Sequence, residues 1–370
     1  METCKKEETM TVKERWLAAL KLQPVDRLPF WPKINNSYLK AQSVEFQNMQ
    51  IQDLHSWIGS DSHQWISGFI KEKRTKSSLE EKKDKNILCH IFRTKYGDLK
   101  RIMKFDEPSQ AWHPVEFPVK SKNDIKLMTE WFCDALLEVD NEKLQDAVKQ
   151  VKQIGSQAIT AQSIGTTPLM QWVQLIAGIE NCHYFLSDYK DDVEELFNVM
   201  QKKLVKTAEI LADKSPADIL YLVENTSTTL ISPRQYKAYC YRHILECHNK
   251  IKDTKKLLVL HMCGHLKALL PELSKLPVAG FEAFTSPPVG NTTLLDGRTF
   301  CPDKCLIGGT NAILWTKETN VIIEQIEKDL DVLPHHRGIV ITSAGVMPPM
   351  CKAETIKTVC VWVKNYRIRV

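Results

Sequence analysis

The sequence predicts an α/β protein that folds as a single (β/α)8 TIM barrel. Eight short β-rich segments alternate with longer amphipathic segments, and no internal repeat or low-complexity linker divides the chain. An open doubly wound sheet is the alternative, but no GxGxxG motif follows the first strand to support it. We therefore predict one barrel domain over residues 11–366, preceded by an N-terminal tail of residues 1–10.

Eight segments have the residue pattern of barrel strands. Several of them are almost wholly apolar, as in LLVLHMCG and GIVITSAG, which is typical of parallel strands that are buried on both faces. In chain order, the predicted strands are Leu28–Ile34, Gln64–Gly68, Gln157–Gly165, Asp218–Glu224, Lys256–Cys263, Gly280–Ser286, Cys305–Gly309 and Gly338–Gly345.

The segments between the strands are mostly helical in pattern. Asp191–Lys206 and Glu318–Leu330 repeat apolar residues every three or four positions. Asn86–Ile102 breaks the alternation, because two β-like runs flank Lys95–Asp98, where a glycine favours a hairpin turn. We predict a hairpin insertion on one barrel loop, and such loops wall the active site at the C-terminal ends of the strands. The stretch Lys71–Lys85 carries both charge signs and is predicted to be a solvated loop or helix face.

Composition and charge exclude several classes of function. Of the 370 residues, 43% are hydrophobic and 26% are charged, and the net charge is only +5. This is ordinary globular composition without the sustained basic surface that nucleic acid requires. No run approaches the roughly 20 apolar residues of a membrane helix. The first residues are charged and lack the apolar stretch of a secretory signal, and the eleven cysteines are odd in number. We therefore expect reduced thiols in a cytoplasmic protein.

The segment His261-Met262-Cys263-Gly264 is the sharpest chemical feature of the sequence. It closes the apolar run Leu257–Leu260, and strand alternation sends His261 and Cys263 to the same face. An imidazole and a thiolate at a strand end form half of a zinc site, while two packed core side chains are the alternative interpretation. Their predicted location, where barrels carry their active sites, favours the zinc site.

A catalytic zinc site needs a third protein ligand and keeps one position open. The candidates for this third ligand are Glu224, Glu282, Cys351 and the pair Cys301 and Cys305. Glu224 ends an apolar run, where a carboxylate requires a partner or a function, so it is also a candidate general acid or base. The pair Cys301 and Cys305 is interpreted as structural, because no second pair accompanies it.

Two further motifs have simpler interpretations. His335-His336 precedes a predicted strand, and adjacent histidines point apart on an extended chain, so we predict a solvent-facing loop. Gly308-Gly309 ends another predicted strand. It either allows close backbone approach to a ligand or marks a turn.

The order of these motifs resembles that of the uroporphyrinogen decarboxylase superfamily. VKERWLAALKLQPVDRLPFWP is similar to the first helix and strand of that fold, and TKYGDLKRIMKF resembles its hairpin. IGTTPLMQWVQLIAGIENCHYFLSDYKDDVEELF and LYLVENTSTTLISPRQYKAY look like its next two strand and helix units. HMCGHLKALLPELSKLPVAGFEAF, CLIGGTNAIL and ITSAGVMPP follow in the same order. The resemblance spans about Thr11 to Lys364 and implies a uroporphyrinogen-decarboxylase-like barrel.

Two branches of this superfamily make different demands on the residues. True decarboxylases hold a tetrapyrrole bearing many carboxylates with arginines on the first loop, but the corresponding segment Pro29–Ser43 contains no arginine. Corrinoid-linked methyltransferases carry a His-x-Cys motif, which His261 and Cys263 match. Their second cysteine lies in a Gly-Cys segment before Ile-Pro-Pro. Gly345 stands at that place here, and Cys351 lies six positions later (351 − 345).

The resemblance therefore implies a corrinoid-dependent methyltransferase with zinc at His261, Cys263 and Cys351, or with Glu224 or Glu282 as the third ligand. The methyl group would move to an acceptor such as coenzyme M or tetrahydrofolate, or from a methoxylated or methylamine donor. A corrinoid protein is the expected partner, docked on the strand-end loops. A uroporphyrinogen-type decarboxylase and a non-catalytic ligand-binding barrel remain as alternatives.

Overall fold

The computed structural model describes residues 8–107 and 111–370, so most of the predicted N-terminal tail, residues 1–7, lies outside the described residues. The β-strands, in chain order, are β1 Phe30–Trp31, β2 His63–Trp65, β3 Ile70–Lys73, β4 Ser78–Asp84, β5 Ile87–Thr94, β6 Gly97–Asp106, β7 Ala111–Glu116, β8 Leu136–Val139, β9 Ile159–Gly165, β10 Ile219–Val223, β11 Leu257–His261, β12 Gly280–Phe284, β13 Cys305–Gly309 and β14 Ile339–Thr342.

The α-helices, in chain order, are α1 Val12–Leu20, α2 Asn36–Lys40, α3 Val44–Gln47, α4 Ile51–Ile58, α5 Lys122–Cys133, α6 Asn141–Ile154, α7 Pro168–Gln171, α8 Gly178–Asp188, α9 Lys190–Lys214, α10 Pro233–Gln235, α11 Arg242–Ile251, α12 Leu270–Leu273, α13 Leu294–Phe300, α14 Thr319–Asp331 and α15 Ala353–Asn365. Two π-helical segments, Trp172–Ile176 and Tyr236–Tyr241, extend α7 and precede α11. Within the described residues, no helix is both long enough and apolar enough to cross a bilayer.

Eight parallel strands form a nearly closed barrel, which confirms the predicted fold class. Their order around the sheet is β1-β14-β13-β12-β11-β10-β9-β2, and each lies within one of the eight predicted segments or overlaps it. Parallel strands joined by helical crossovers bury both faces, which explains why the strand segments are so apolar. The predicted helices Asp191–Lys206 and Glu318–Leu330 are confirmed as parts of α9 and α14.

The seam between β1 and β2 is closed by a buried ion-pair network. The Asp61 carboxylate accepts hydrogen bonds from Arg15 at 2.6 Å and from Arg27 at 2.7 Å. It also accepts one from the Phe30 backbone N–H at 2.9 Å, while the Asp61 N–H donates to the Phe30 carbonyl at 2.7 Å. Because these charges are buried, the loss of any one partner would leave an uncompensated charge in the interior and destabilise the fold. The network thus replaces a strand ladder at the seam.

Helix α1 closes the N-terminal end of the barrel. Trp16 is fully buried and packs with barrel-interior residues, with its ring centroid 5.6 Å from that of Trp31. Its indole N–H donates to the Asp61 carbonyl at 3.1 Å. With this end filled, the open end is the mouth, which we define as the opening at the C-terminal ends of the strands.

The predicted hairpin insertion is confirmed and is larger than expected. The strands β5 and β6 pair around a turn at residues 95–96, and β4 and β7 extend them into a four-stranded antiparallel sheet. The prediction of a solvated loop or helix face for Lys71–Lys85 was wrong, because this stretch contains β3 and β4. Its side chains are mostly exposed, but its backbone pairs with β8 and β5. Charged residues are common on such edge strands because they discourage further pairing.

The prediction of a solvent-facing loop at His335-His336 was wrong for His336. Its ring is buried, its backbone N–H donates to the Arg369 carbonyl at 2.8 Å, and its Nδ1 accepts from the Arg369 N–H at 2.8 Å. The C-terminal segment covers it, a contact between distant parts of the chain. Cys301 and Cys305 are both buried in apolar surroundings, on opposite sides of the barrel wall.

Candidate active site at the barrel mouth

His261 is the last residue of β11 and lies across from Glu282 on β12. The two residues are partners in the parallel register, so their side chains lie on the same face of the sheet. Tyr221 and Val259 on that face belong to the barrel interior. Both His261 and Glu282 therefore project into the barrel, close to the mouth.

The side chains of Lys33, Glu282 and His261 form a continuous chain of contacts. Lys33 Nζ lies 2.7 Å from Glu282 Oε1, and His261 Nδ1 contacts the other carboxylate oxygen. A carboxylate only accepts, so His261 donates through Nδ1 and presents Nε2 to a ligand. Burial opposes charge on the imidazole, but Glu282 outweighs this effect and raises the pKa of His261. Burial likewise opposes ionisation of Glu282, but Lys33 and His261 hold its pKa well below the usual range.

Cys263 lies two residues beyond His261, and its side chain is exposed at the mouth. Its thiol donates to Asn225 Oδ1 at 3.3 Å, and Asn225 Nδ2 donates to Gln174 Oε1 at 2.8 Å. Asn225 has a φ of 48°, a left-handed conformation that asparagine tolerates better than most residues. Gln174, on a π-helical segment, thus orients the Asn225 amide, whose oxygen accepts the hydrogen bond from the Cys263 thiol.

Gly264 allows this loop to lie against the loop that follows β10. A Cβ on Gly264 would lie 2.4 Å from Ser227 Cβ and 2.7 Å from the Thr226 carbonyl oxygen. Gly308 has a similar role, because its Cβ would lie 2.1 Å from the Phe284 carbonyl oxygen. Of the two interpretations of Gly308-Gly309, the structure supports a close backbone approach at Gly308, and the neighbouring backbone there is that of β12.

The carboxylate of Glu224 lies outside the mouth, in the layer between the barrel and its helices. It accepts from the Thr167 N–H at 2.8 Å and from the Thr167 hydroxyl, whose oxygen lies 3.6 Å from Cys240 Sγ. Burial raises the pKa of Glu224 to about 7, although the hydrogen bonds from Thr167 oppose this shift. The structure therefore does not bring Glu224 together with His261 and Cys263.

Cys351 is also separate from the pair at the mouth. It is buried in the outer core, its thiol faces the Lys352 carbonyl at 3.8 Å, and its own carbonyl accepts from the Tyr38 hydroxyl at 2.7 Å. Burial raises the pKa of its thiol to about 12, so it is not prepared as a thiolate. Gly345, by contrast, has open space around it, since a Cβ there meets nothing within 4 Å.

The residues at the mouth supply part of a zinc site. His261 Nε2 and Cys263 Sγ are ligands of the kind that zinc prefers, and a carboxylate on the other ring nitrogen is the usual support for a zinc-bound histidine. Glu282 supplies that carboxylate. Within residues 8–107 and 111–370, however, no three histidine, cysteine, aspartate or glutamate side chains are arranged to hold a metal ion together. The donor set fits zinc at two positions and leaves the third position open.

Sequence reasoning missed several residues of the mouth. Asn225 accepts from the Cys263 thiol, Lys33 reaches His261 only through Glu282, and Trp65 at the end of β2 is half exposed there. Lys33 and Glu282 are 249 positions apart in the chain, so no local pattern links them. Trp65 was detectable in principle, because a large aromatic residue near the end of a barrel strand marks the rim of the mouth.

Comparisons with known proteins place these observations in a family. Residues 115–366 match the sequence profile of the family described as uroporphyrinogen decarboxylase (URO-D). Among solved structures, a methyltransferase from Methanosarcina mazei superposes with a TM-score of 0.61 at 15% sequence identity, covering 96% of this chain and 98% of that chain. This structural likeness shows a shared fold. No curated protein matches the sequence.

Proposed function

This chain belongs to the uroporphyrinogen decarboxylase family, and from that premise we propose that it is a methyltransferase. The methyl group would pass between a corrinoid carried by a partner protein and a small molecule held in the barrel mouth. The observation that carries the proposal is the pairing of the exposed Cys263 thiol with His261, whose Nδ1 is bonded to Glu282. The similarity in fold to a methyltransferase from Methanosarcina mazei supports it.

His261 and Cys263 are the residues that would hold a zinc ion in this proposal, with Glu282 as support or third ligand. When bound, zinc would lower the pKa of an acceptor thiol and so favour its nucleophilic form. Glu282 fixes the orientation of the imidazole, and Lys33 neutralises the buried carboxylate. The arrangement thus presents Nε2 and the thiol toward the mouth without a buried unpaired charge.

The rim of the mouth is suited to a protein partner. Val289, Ile313 and Met350 are exposed apolar residues on the loops after β12, β13 and β14, which are neighbours in the barrel. Met350 is 80% exposed. Exposed apolar residues gathered around an active-site opening are typical of a protein interface. We propose that the corrinoid protein docks on this rim, where the cofactor that it carries would face the residues at the mouth.

The second candidate, decarboxylation of a tetrapyrrole with many carboxylates, has weaker support. Such a substrate requires several free cationic groups, preferably arginines that bind carboxylates with two hydrogen bonds. Lys33 is the cation that the first loop places at the mouth, and a single lysine that also pairs with Glu282 cannot bind many carboxylates. The residues of the mouth therefore favour a substrate with few charges.

Metal analysis of the purified protein tests the proposal. The wild type, prepared without added metal or chelator, is expected to carry about one zinc per chain, because catalytic zinc sites bind one ion. The Cys263→Ala variant should lose both the zinc and methyl transfer with a methylated corrinoid protein. Cys133→Ala removes an exposed cysteine on α5 and serves as the matched control. Absence of metal from the wild type, or full activity in Cys263→Ala, would overturn the zinc mechanism.

A further inference from the structure

The side chain of Trp65 has an unusual environment for a residue that projects into the barrel. It ends β2, and its alternation partner His63 lies in the barrel interior, while Gln64 between them bonds outward to Gln52 on α4. Trp65 is nevertheless 49% exposed. Exposing an indole costs free energy that burial would recover, so an uncovered tryptophan inside a concave site is typical of a surface that a ligand covers.

The ring of Trp65 is held in place by other aromatic side chains. Its centroid lies 5.0 Å from that of Tyr221 and 5.3 Å from that of His63. His63 in turn stacks on Trp31 at 4.4 Å. These contacts fix the ring from the barrel side and leave the rest of it open to the mouth. Such a fixed ring provides a stacking surface with little loss of conformational entropy on binding.

Beside Trp65, buried polar atoms lack partners within the described residues. The Tyr221 hydroxyl and both ring nitrogens of His63 are buried and make no hydrogen bond. Nearly all buried polar groups in folded proteins are paired, so such groups call for an explanation. A ligand, or water held beneath it, would supply the missing partner for the Tyr221 hydroxyl.

The opposite side of the mouth is cationic or neutral. In the strand order, β12 lies four positions from β2 around the eight-stranded barrel, so Glu282 lies across from Trp65. Lys33 is 17% exposed and uses one of its three N–H donors on Glu282. The charges of Lys33 and Glu282 cancel, and the His261 imidazole adds no negative charge. No unpaired carboxylate among these residues is available to a cationic ligand.

We propose that the small molecule held in this mouth is a planar aromatic carboxylate. Its ring stacks on Trp65 and its carboxylate reaches the free N–H donors of Lys33. This inference rests on the proposed function only in treating the mouth as the substrate site. It selects among the possible small molecules, because an aliphatic thiol would leave Trp65 uncovered, and a neutral aromatic ether would leave the free N–H donors of Lys33 without an anion.

Isothermal titration calorimetry on the full chain, without any corrinoid protein, tests the binding class. The ligands are 4-methoxybenzoate, methoxybenzene and cyclohexanecarboxylate. We expect 4-methoxybenzoate to bind about tenfold more tightly than methoxybenzene, because only the acid makes a charge-assisted hydrogen bond. Cyclohexanecarboxylate, which keeps the carboxylate but has no aromatic ring, should bind about tenfold more weakly than 4-methoxybenzoate. Binding of either control ligand as tight as that of 4-methoxybenzoate would overturn the proposal.

Variants locate the binding surface. Trp65→Ala should weaken 4-methoxybenzoate binding about tenfold. Trp65→Phe should retain most of the binding, because a phenyl ring also provides an aromatic face for stacking. Tyr96→Ala, which removes an exposed aromatic residue from the hairpin, should have no effect. Equal binding by the wild type and Trp65→Ala would overturn the proposal. Since no methyl transfer is measured, this result is independent of whether the protein is a methyltransferase.

Discussion

His261 and Glu282 are register partners on neighbouring strands, and the imidazole donates to the carboxylate through Nδ1. This contact fixes which ring nitrogen faces the mouth. It also joins the predicted His-x-Cys pair to Lys33, which reaches the same carboxylate from the first barrel loop. The chemistry available at the mouth therefore depends on three strand ends and not on one motif.

Replacing Glu282 tests this relationship. Glu282→Gln should weaken zinc binding by about 10- to 100-fold, because the hydrogen-bond partner of a zinc-bound histidine tunes and orients it. Competition with a chromogenic zinc chelator measures the affinity. Glu324→Gln, an exposed glutamate on α14, is the control. An unchanged zinc affinity with an intact fold would show that Glu282 does not support the metal.

Placing a cysteine at position 345 should complete the metal site. A Cβ on Gly345 meets no atom within 4 Å, so Gly345→Cys is sterically tolerated. A third ligand of the kind zinc prefers should raise zinc affinity at least tenfold. Gly68→Cys, where a Cβ also meets nothing within 4 Å, is the matched control on the β2 side of the barrel. No gain over this control would argue against a zinc site at His261 and Cys263.

Glu224 should make stability depend on pH. Its pKa rises to about 7 in the folded state, mainly through burial, whereas the unfolded value is near 4.5. The folded state therefore holds the proton more tightly, and stability falls as pH rises from about 4.5 through 7. The full effect is on the order of 3 kcal/mol. Glu224→Gln removes this titration and can still hydrogen-bond Thr167.

Urea unfolding at two pH values measures this effect. As the pH rises from 5 to 8, the stability of Glu224→Gln relative to that of the wild type should increase. At the higher pH only the wild type must bury an ionised carboxylate. A difference between the two proteins that does not change with pH would contradict the raised pKa. Glu354→Gln, at an exposed position on α15, controls for the loss of one carboxylate.

Asp61 should be among the residues most important for stability. Asp61→Asn leaves the buried guanidinium groups of Arg15 and Arg27 with less compensating charge at the seam. Breaking a buried ion pair typically costs about 3 kcal/mol or more. The shift of the urea midpoint measures the loss. Glu80→Gln, which removes a surface ion pair with Arg93, should change stability much less than Asp61→Asn does. Equal effects of the two variants would contradict a special role for the seam.

The rim should bind the proposed corrinoid partner. Met350→Asp introduces a charge at a residue that is 80% exposed, and we expect at least a tenfold loss of affinity for that protein. Surface plasmon resonance with the corrinoid protein measures it. Val332→Asp is the control, because Val332 is 54% exposed and precedes β14, at the opposite end of the barrel. A larger loss in the control would place the interface elsewhere.

Local patterns in the sequence predicted much of the fold and part of the site. The eight strand segments were recognisable because strands buried on both faces are apolar throughout. The same feature concealed the direction of Glu224, since an apolar run on both faces does not show which residues point inward. The exposed charges of Lys71–Lys85 concealed β3 and β4, whose pairing is a property of the backbone.

The sequence by itself determined the barrel class, the hairpin, and the placement of His261 and Cys263 at one strand end, because each depends on residues close together in the chain. Only the tertiary structure decided which distant side chains meet them. Glu282 contacts His261 and Lys33 contacts Glu282, whereas Glu224 faces the helices and Cys351 lies in the outer core. These outcomes depend on strand register and on which face each strand turns inward, and both are set by packing between segments far apart in the chain.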